Sequence, residues 1–448
     1  MIILCVVAVF YTIEKVMSDL LLKNFSNALP EQAQGGADVS AIYVSRAANP
    51  DQDVVANLHQ CISWSENPVG DVYLFSGLRG AGKTTELNRL ITELKNDDIA
   101  AYYCDASLYL NLHEPNLTLP ELLMTVLAGL SDAVKKQHGA DFFKDSVWQR
   151  VKRTLNSDVN IKPKAKIGAG GAELEIEASL QENPDFKADL ITFAKQSGQF
   201  YDEVSQFASE IATLIRKKQP DKKIVLVVDS LERLSAPTGQ ESQLYDTLKE
   251  LFFHNPAKLA LPFFSVVYTA PPYLPIILPS VEHGFAESFI LSNFKVINKE
   301  GTRCEQGIAQ MVDIIDKRFD KWSEVMAKPV LESLAWLSGG NVRRFFALVK
   351  TAVRKIALSR QALPITDPSA APITQAINEI AQPLQWLTGT DRNWLRYFKT
   401  DEPSQNIQDL AKDVPVIIRL FDHSLVLNYK NGKHWYSIPP LVHQYVSL

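Results

Sequence analysis

The sequence predicts an α/β protein: a doubly wound parallel sheet built around a phosphate-binding loop, with two smaller domains after it. Three observations predict it. The apolar run Val72-Tyr73-Leu74-Phe75 leads into Gly77-Leu78-Arg79-Gly80-Ala81-Gly82-Lys83-Thr84-Thr85, and a helical pattern follows through Leu87, Leu90, Ile91 and Leu94. A second continuous apolar run, Ile224 to Val228, ends in Asp229, as expected of a strand buried on both faces of a parallel sheet. Between and beyond them, strand-like runs alternate with amphipathic helical patterns, the signature of a sheet covered by helices on both sides.

The elements follow in chain order. Met1 to Ile13 is apolar, short for a bilayer and without a basic leader. Residues 1–40 are expected to be an N-terminal extension, with Met17 as the working start and 1–16 upstream of it; a membrane anchor is the alternative reading. From Asp19 to Gly36 the pattern is weak. Residues 41–298 form the expected nucleotide-binding domain, which opens with Ala41 to Arg46 and a helix from Asp51 to Ser65. The phosphate loop comes next. Gly77, Gly80 and Gly82 let the backbone curl so that several N–H groups converge, and the new helix adds its positive end. Lys83 can then bridge the β- and γ-phosphates of ATP, while the Thr84 hydroxyl can ligate Mg²⁺.

A strand at Ile99 to Cys104 and a helix from Leu119 to Val134 precede an expected insertion at about 140–200. There Val159 to Ile167 and Ala172 to Ala178 alternate with period two, arms of opposite charge on a hairpin. It reads as a surface hairpin or as a partner-binding arm. The helix Phe200 to Lys218 leads to the strand that ends in Asp229. Its carboxylate is placed to hold Mg²⁺ through water, and Glu232 is the nearest group able to activate a hydrolytic water. A helix cap and a surface glutamate are the plainer alternatives. Phe263 to Tyr268 is another buried strand. Thr269 at its end is either a sensor of the γ-phosphate or a turn residue. A last strand is expected from Ser288 to Val296.

Residues 299–363 read as a helical lid: Gly307 to Phe319, Pro329 to Leu337 and Asn341 to Leu358. Arg343 and Arg344 stand in the first turn of the third helix, where cations oppose the dipole and an anionic partner would explain them. A solvated pair is the alternative. After the proline-rich joint Pro364 to Pro372, residues 364–448 show three short helices, Arg392 to Phe398, Ile407 to Lys412 and Val416 to Phe421. A hairpin turning at Asn431-Gly432 follows, giving a winged-helix layout. Its presumed recognition helix offers Arg419 alone, which is poor support for reading DNA.

Composition narrows the classes. With 448 residues the chain can build two or three cores, and a net charge of −5 argues against a protein made mainly to coat nucleic acid. The four cysteines form no Cys-x-x-Cys pair and read as free thiols of a reducing cytoplasm.

Val225 to Leu234 resembles the Walker B segment of STAND-type P-loop ATPases. With the loop at Gly77 to Thr84, the turn Ser338 to Arg344 and the final hairpin, the order is similar to nucleotide domain, helical lid, winged helix. The likeness runs from about residue 40 onward, and is to single-core bacterial members, some of which serve in antiphage defence. The resemblance implies that Asp229 organises Mg²⁺, Glu232 poises water, Arg343 is the lid arginine that contacts phosphate, and Arg46 helps hold the base end of the nucleotide. Thr269-Ala270-Pro271 lacks the arginine that often follows the fourth strand in that family. Prolines at 439 and 440 stand where a His-Asp pair often holds ADP. With no repeat array expected after the core and no effector domain expected before it, the resemblance would assign sensing or killing to partner proteins. The function expected is an ATP-binding and hydrolysing switch that regulates or assembles with a protein effector. Nucleotide-dependent homo-oligomers are compatible with it. The alternative is an AAA+ ATPase that loads or remodels DNA through its winged helix.

Overall fold

The computed structural model describes residues 16–30, 39–46, 53–139, 142, 191–192, 194, 199–220, 222–359, 361–398 and 406–446. The expected hairpin at 159–178 and the apolar stretch 1–13 lie outside them.

The central sheet is parallel and five-stranded. Its strands are β1 (Val72–Gly77), β2 (Ala100–Asp105), β3 (Ile224–Asp229), β4 (Ser265–Ala270) and β5 (Glu287–Leu291), in the order β2-β3-β4-β1-β5. All six residues of β1, β3 and β4 are buried, so these strands read as unbroken apolar runs rather than alternating ones. Helices α2 (Val54–Trp64), α3 (Lys83–Asn96), α4 (Leu119–His138), α5 (Gln199–Lys218) and α6 (Glu241–Leu248) accompany the sheet. The start of α4 is fixed locally: the Thr118 backbone N–H and hydroxyl both donate to Glu121 Oε2, at 2.9 and 2.6 Å, with Pro120 in the first turn.

Past the sheet come α7 (Glu305–Asp316), α8 (Lys328–Leu337), α9 (Val342–Ser359) and α10 (Ala371–Ala381). Their apolar faces share a second core that includes Ile308, Leu331, Phe345 and, from beyond the proline-rich joint, Ile373 and Ala376. The last segment holds α11 (Gly389–Tyr397), α12 (Leu410–Asp422), the hairpin β6 (Leu427–Asn431) and β7 (Lys433–Ser437), and α13 (Pro440–Val446). It straddles both cores. Phe398, Ile417, Phe421 and Val442 pack with the sheet, whereas Leu427, Tyr429 and Trp435 pack with the lid helices.

Three expectations are corrected. The weakly patterned segment after Asp19 contains a helix, α1 (16–27), whose Leu22 and Phe25 enter the lid core, followed by Leu29. Phe25 stacks on Phe319 at 5.0 Å. Burying each such side chain contributes about 1.5–3 kcal/mol, enough to order a segment with little pattern of its own. The strand expected to run to Val296 stops at Leu291, because Asn293 N–H donates to Asn428 O (2.8 Å) and Phe294 N–H to Gly340 O (3.3 Å) instead of to the sheet. The helices expected at 407–412 and 416–421 are one helix, α12, with Pro415 inside it. Proline removes one backbone donor there, but Val414, Ile417, Ile418 and Phe421 bury a continuous face that carries the helix through. Among the described residues, no helix is long and apolar enough to cross a membrane.

Candidate nucleotide-binding site

Because the strands are parallel, the ends of β1 and β3 open on the same edge of the sheet, with β4 between them. The loop from Gly77 to Thr84 leaves β1 there and turns directly into α3. Gly80 and Gly82 have φ of +79° and +98°, values that favour glycine. Lys83 is 4% exposed. Its Nζ donates to Gly77 O (2.8 Å) and Leu78 O (3.1 Å) and lies 3.2 Å from Glu232 Oε1. The other Glu232 oxygen, Oε2, is buried without a hydrogen-bond partner. An unpartnered buried carboxylate oxygen beside a buried ammonium marks a place where a further polar group fits.

Asp229, 1% exposed, accepts from Thr84 Oγ1 (2.9 Å), Tyr103 Oη (2.6 Å) and Ser230 N–H (2.7 Å). Burial, and then the nearby Glu232 charge, push its carboxyl up to about 6. Ser230 takes a left-handed φ of +77°, which turns its N–H back onto that carboxylate. The donor set is therefore a hydroxyl from the start of α3, a carboxylate from the end of β3 and a second carboxylate from the turn after β3: hard oxygen ligands suited to Mg²⁺. Thr84 and Asp229 are the residues that would hold the metal. The loop N–H groups and Lys83 would hold the phosphates, and bound Mg²⁺ would supply charge stabilisation at the phosphoryl oxygens.

Other residues singled out from the sequence have different surroundings. Thr269, fully buried, accepts from Leu231 N–H (2.9 Å) and donates to Val228 O (3.3 Å), fastening the turn after β3. Arg46 binds the loop from outside: Nη2 donates to Ala81 O (2.9 Å), Nη1 to Ser292 O (2.6 Å), and Nε pairs with the buried Glu86 (3.2 Å). Its guanidinium also lies 4.5 Å from the Phe294 ring centre. Thr85 is half-buried in the first turn of α3. Arg343 meets the loop through its backbone, N–H to Gly80 O at 3.2 Å, while its side chain lines a separate cleft with Lys350 and Arg354. Arg344 is half-buried: Nη2 donates to Ser424 O (2.6 Å), and burial lowers its guanidinium to about 10.

Sequence reasoning missed four residues that grip the loop or its carboxylate. Asn341 Nδ2 donates to Arg79 O (2.7 Å), and its Oδ1 accepts from Arg344 N–H (3.0 Å). A Cβ on Gly80 would lie 2.5 Å from Arg343 Cβ and 2.6 Å from Asn341 Oδ1, so the second glycine of the loop also admits the lid. Arg79 reaches Arg233 O (2.9 Å) and Asp422 (3.5 Å), tying the loop to α12. Tyr103 is the fourth. The turn Gly339-Gly340-Asn341 was the available signal for Asn341; nothing local signalled Tyr103 or Asp422.

No family model and no curated protein matches this chain. Among solved structures it is similar to the ORC2 protein of Aeropyrum pernix in ADPNP-ADP complexes, at 13% identity over 92% of this chain and 97% of that one, with a TM-score of 0.40. The ORC1 protein of the same organism in complex with DNA aligns at 13% identity over 93% and 98%, TM-score 0.35. The RuvB Holliday junction branch migration motor of Thermotoga maritima aligns at 12% over 90% and 95%, TM-score 0.36. The fold is defined by the sheet order and the loop described above.

Proposed function

We propose that this chain binds Mg-ATP, hydrolyses it slowly, and uses the nucleotide state to set the position of its lid and C-terminal segment. It thereby acts as a STAND-like switch that regulates or assembles with a protein effector, in a role such as antiphage defence. Lys83 and the loop N–H groups hold the phosphates, Thr84 and Asp229 hold Mg²⁺, and Glu232 activates water. The supporting observation is that one loop faces both ways. Its inner side carries Lys83 and Thr84, while its outer carbonyls at Arg79 and Gly80 accept from Asn341 and from the Arg343 backbone of the lid. A phosphate that reshapes the loop changes those contacts, which is a differential interaction between two states. The DNA-loading alternative has less support, since Arg419 on the presumed recognition helix pairs with Asp391 at 2.5 Å.

Limited proteolysis tests the switch. ATP, and not ADP, should change cleavage at the 364–372 joint, and Asn341→Ala should erase the difference while ATP still binds. Identical digestion in ATP, ADP and no nucleotide would remove the switch and leave a plain ATPase.

A further inference from the structure

Strand β2 carries two adjacent tyrosines, Tyr102 and Tyr103, and successive side chains on a strand point to opposite faces of the sheet. Tyr102 is buried, and its hydroxyl meets His138 of α4 at 2.8 Å. Tyr103 is half-buried and lies on the other face. Register brings it to the carboxylate at the end of β3. Asp105 stands opposite Asp229 and Tyr103 opposite Val227, so Tyr103 shares a face with Asp229 and sits two residues back from it. A phenol is long enough to cover that step, and its Oη donates to Asp229 Oδ2 at 2.6 Å. The other carboxylate of this face, Asp105, has partners of its own: Oδ1 accepts from Ser107 N–H (3.0 Å) and Ser107 Oγ (2.6 Å).

The three donors to Asp229 differ in kind. Thr84 Oγ1, also on Oδ2 at 2.9 Å, is itself a candidate metal ligand. Ser230 N–H, on Oδ1 at 2.7 Å, belongs to the backbone of the turn. Of the three, Tyr103 is the side chain that grips the carboxylate without being a candidate ligand. A phenol keeps its proton at neutral pH, so it remains a donor there.

We propose that Tyr103 is a positioning residue for the metal: its hydroxyl fixes the orientation of the Asp229 carboxylate, and so sets how strongly the site prefers Mg²⁺ to Mn²⁺. The proposal rests on the Mg-ATP reading above. Mg²⁺ demands near-ideal octahedral geometry, so a carboxylate free to swing weakens its binding more than that of the larger Mn²⁺. Hydrogen-bond partners behind a metal ligand are typically worth about 10- to 100-fold in metal affinity.

The experiment uses the full chain and the β,γ-imido analogue of ATP, so that binding is read without turnover. Calorimetry gives its affinity in excess Mg²⁺, in excess Mn²⁺ and in EDTA, and the ratio to the EDTA value is the gain due to each metal. Tyr103→Phe should leave the EDTA affinity unchanged, cut the Mg²⁺ gain by about tenfold or more, and cut the Mn²⁺ gain by less. Tyr109→Phe, which removes a phenol hydrogen bond of the same kind to Asp132 (2.7 Å), is the control and should leave all three affinities unchanged. An unchanged Mg²⁺ gain in Tyr103→Phe would overturn the proposal. So would equal losses with the two metals, or an equal loss in EDTA, because a packing defect does not distinguish ions. A parent protein that binds the analogue equally in Mg²⁺ and in EDTA would overturn the metal reading itself, and this proposal with it. No binding of the analogue under any of the three conditions would overturn the nucleotide reading.

Discussion

The two faces of the phosphate loop are built by different rules. On the inner face, every contact is made within the sheet domain: Lys83 with Gly77, Leu78 and Glu232, and Thr84 with Asp229. On the outer face, the partners come from far along the chain: Asn341, the Arg343 backbone, Asp422 and Ser424. The inner face is chemistry that the motif dictates. The outer face is coupling, and apart from the Arg79–Asp422 pair it uses backbone carbonyls that any sequence would offer. A loop of eight residues thus serves as a ligand cradle and as a latch, and substitutions on its two faces should have separable effects.

The largest effect should come from the inner face. Glu232→Gln keeps the shape and the contact with Lys83 but removes the base, so single-turnover hydrolysis should fall about 10²- to 10⁴-fold with Mg-ATP still bound. A parental rate would mean that Glu232 takes no part in cleavage. Next, Lys83→Ala should weaken ATP binding by about 1.5–3 kcal/mol, the worth of a hydrogen bond to a charged group, or roughly 10- to 150-fold in affinity. Calorimetry checks it, and equal affinities would remove the inner face from the nucleotide site.

The smallest effect belongs to the outer face. Burial pushes the Asp422 carboxyl up to about 6, from 3.8, despite the Arg79 guanidinium beside it. A carboxyl whose pKa is raised on folding stabilises the folded state most below the unfolded value, and that contribution is lost as pH rises through the folded value. Relative to Asp422→Asn, the parent should therefore lose stability between about pH 4 and 6. At pH 7 the partly exposed pair with Arg79 should return no more than about 1 kcal/mol. Urea midpoints of both proteins across that range measure it. A parent that gains stability relative to the variant over the same interval would show that the Arg79 pair dominates burial, and that the latch is stronger than its geometry suggests.

Much of the fold was legible in the sequence because its signals are local. The runs at Val72, Ile224 and Phe263 gave three strands within a residue or two, since a strand buried on both faces must be apolar throughout. Gly-Lys-Thr marked the loop and Asn431-Gly432 the hairpin turn. Helix α1 was not read from the sequence: Leu22 and Phe25 are too few apolar positions to stand out without the lid core they fill. The reach of β5 was not legible, because Ser292 and Asn293 leave the sheet to meet Asn428, more than a hundred residues later.

The sequence by itself determined the main strands, the loop and the hydroxyl and carboxylate at Thr84 and Asp229, because strand period, glycine freedom and charge type are properties of neighbouring residues. The tertiary structure alone decided where the arginines go. From the sequence, Arg343 and Arg46 read as candidates for the nucleotide, and Arg79 was not singled out. Yet a long flexible cation settles on whichever acceptor the folded chain brings within reach, and only the packing of lid and α12 against the loop fixes that. So Arg46 holds Ala81 O, Arg79 turns to Asp422, and Arg343 faces a cleft of its own.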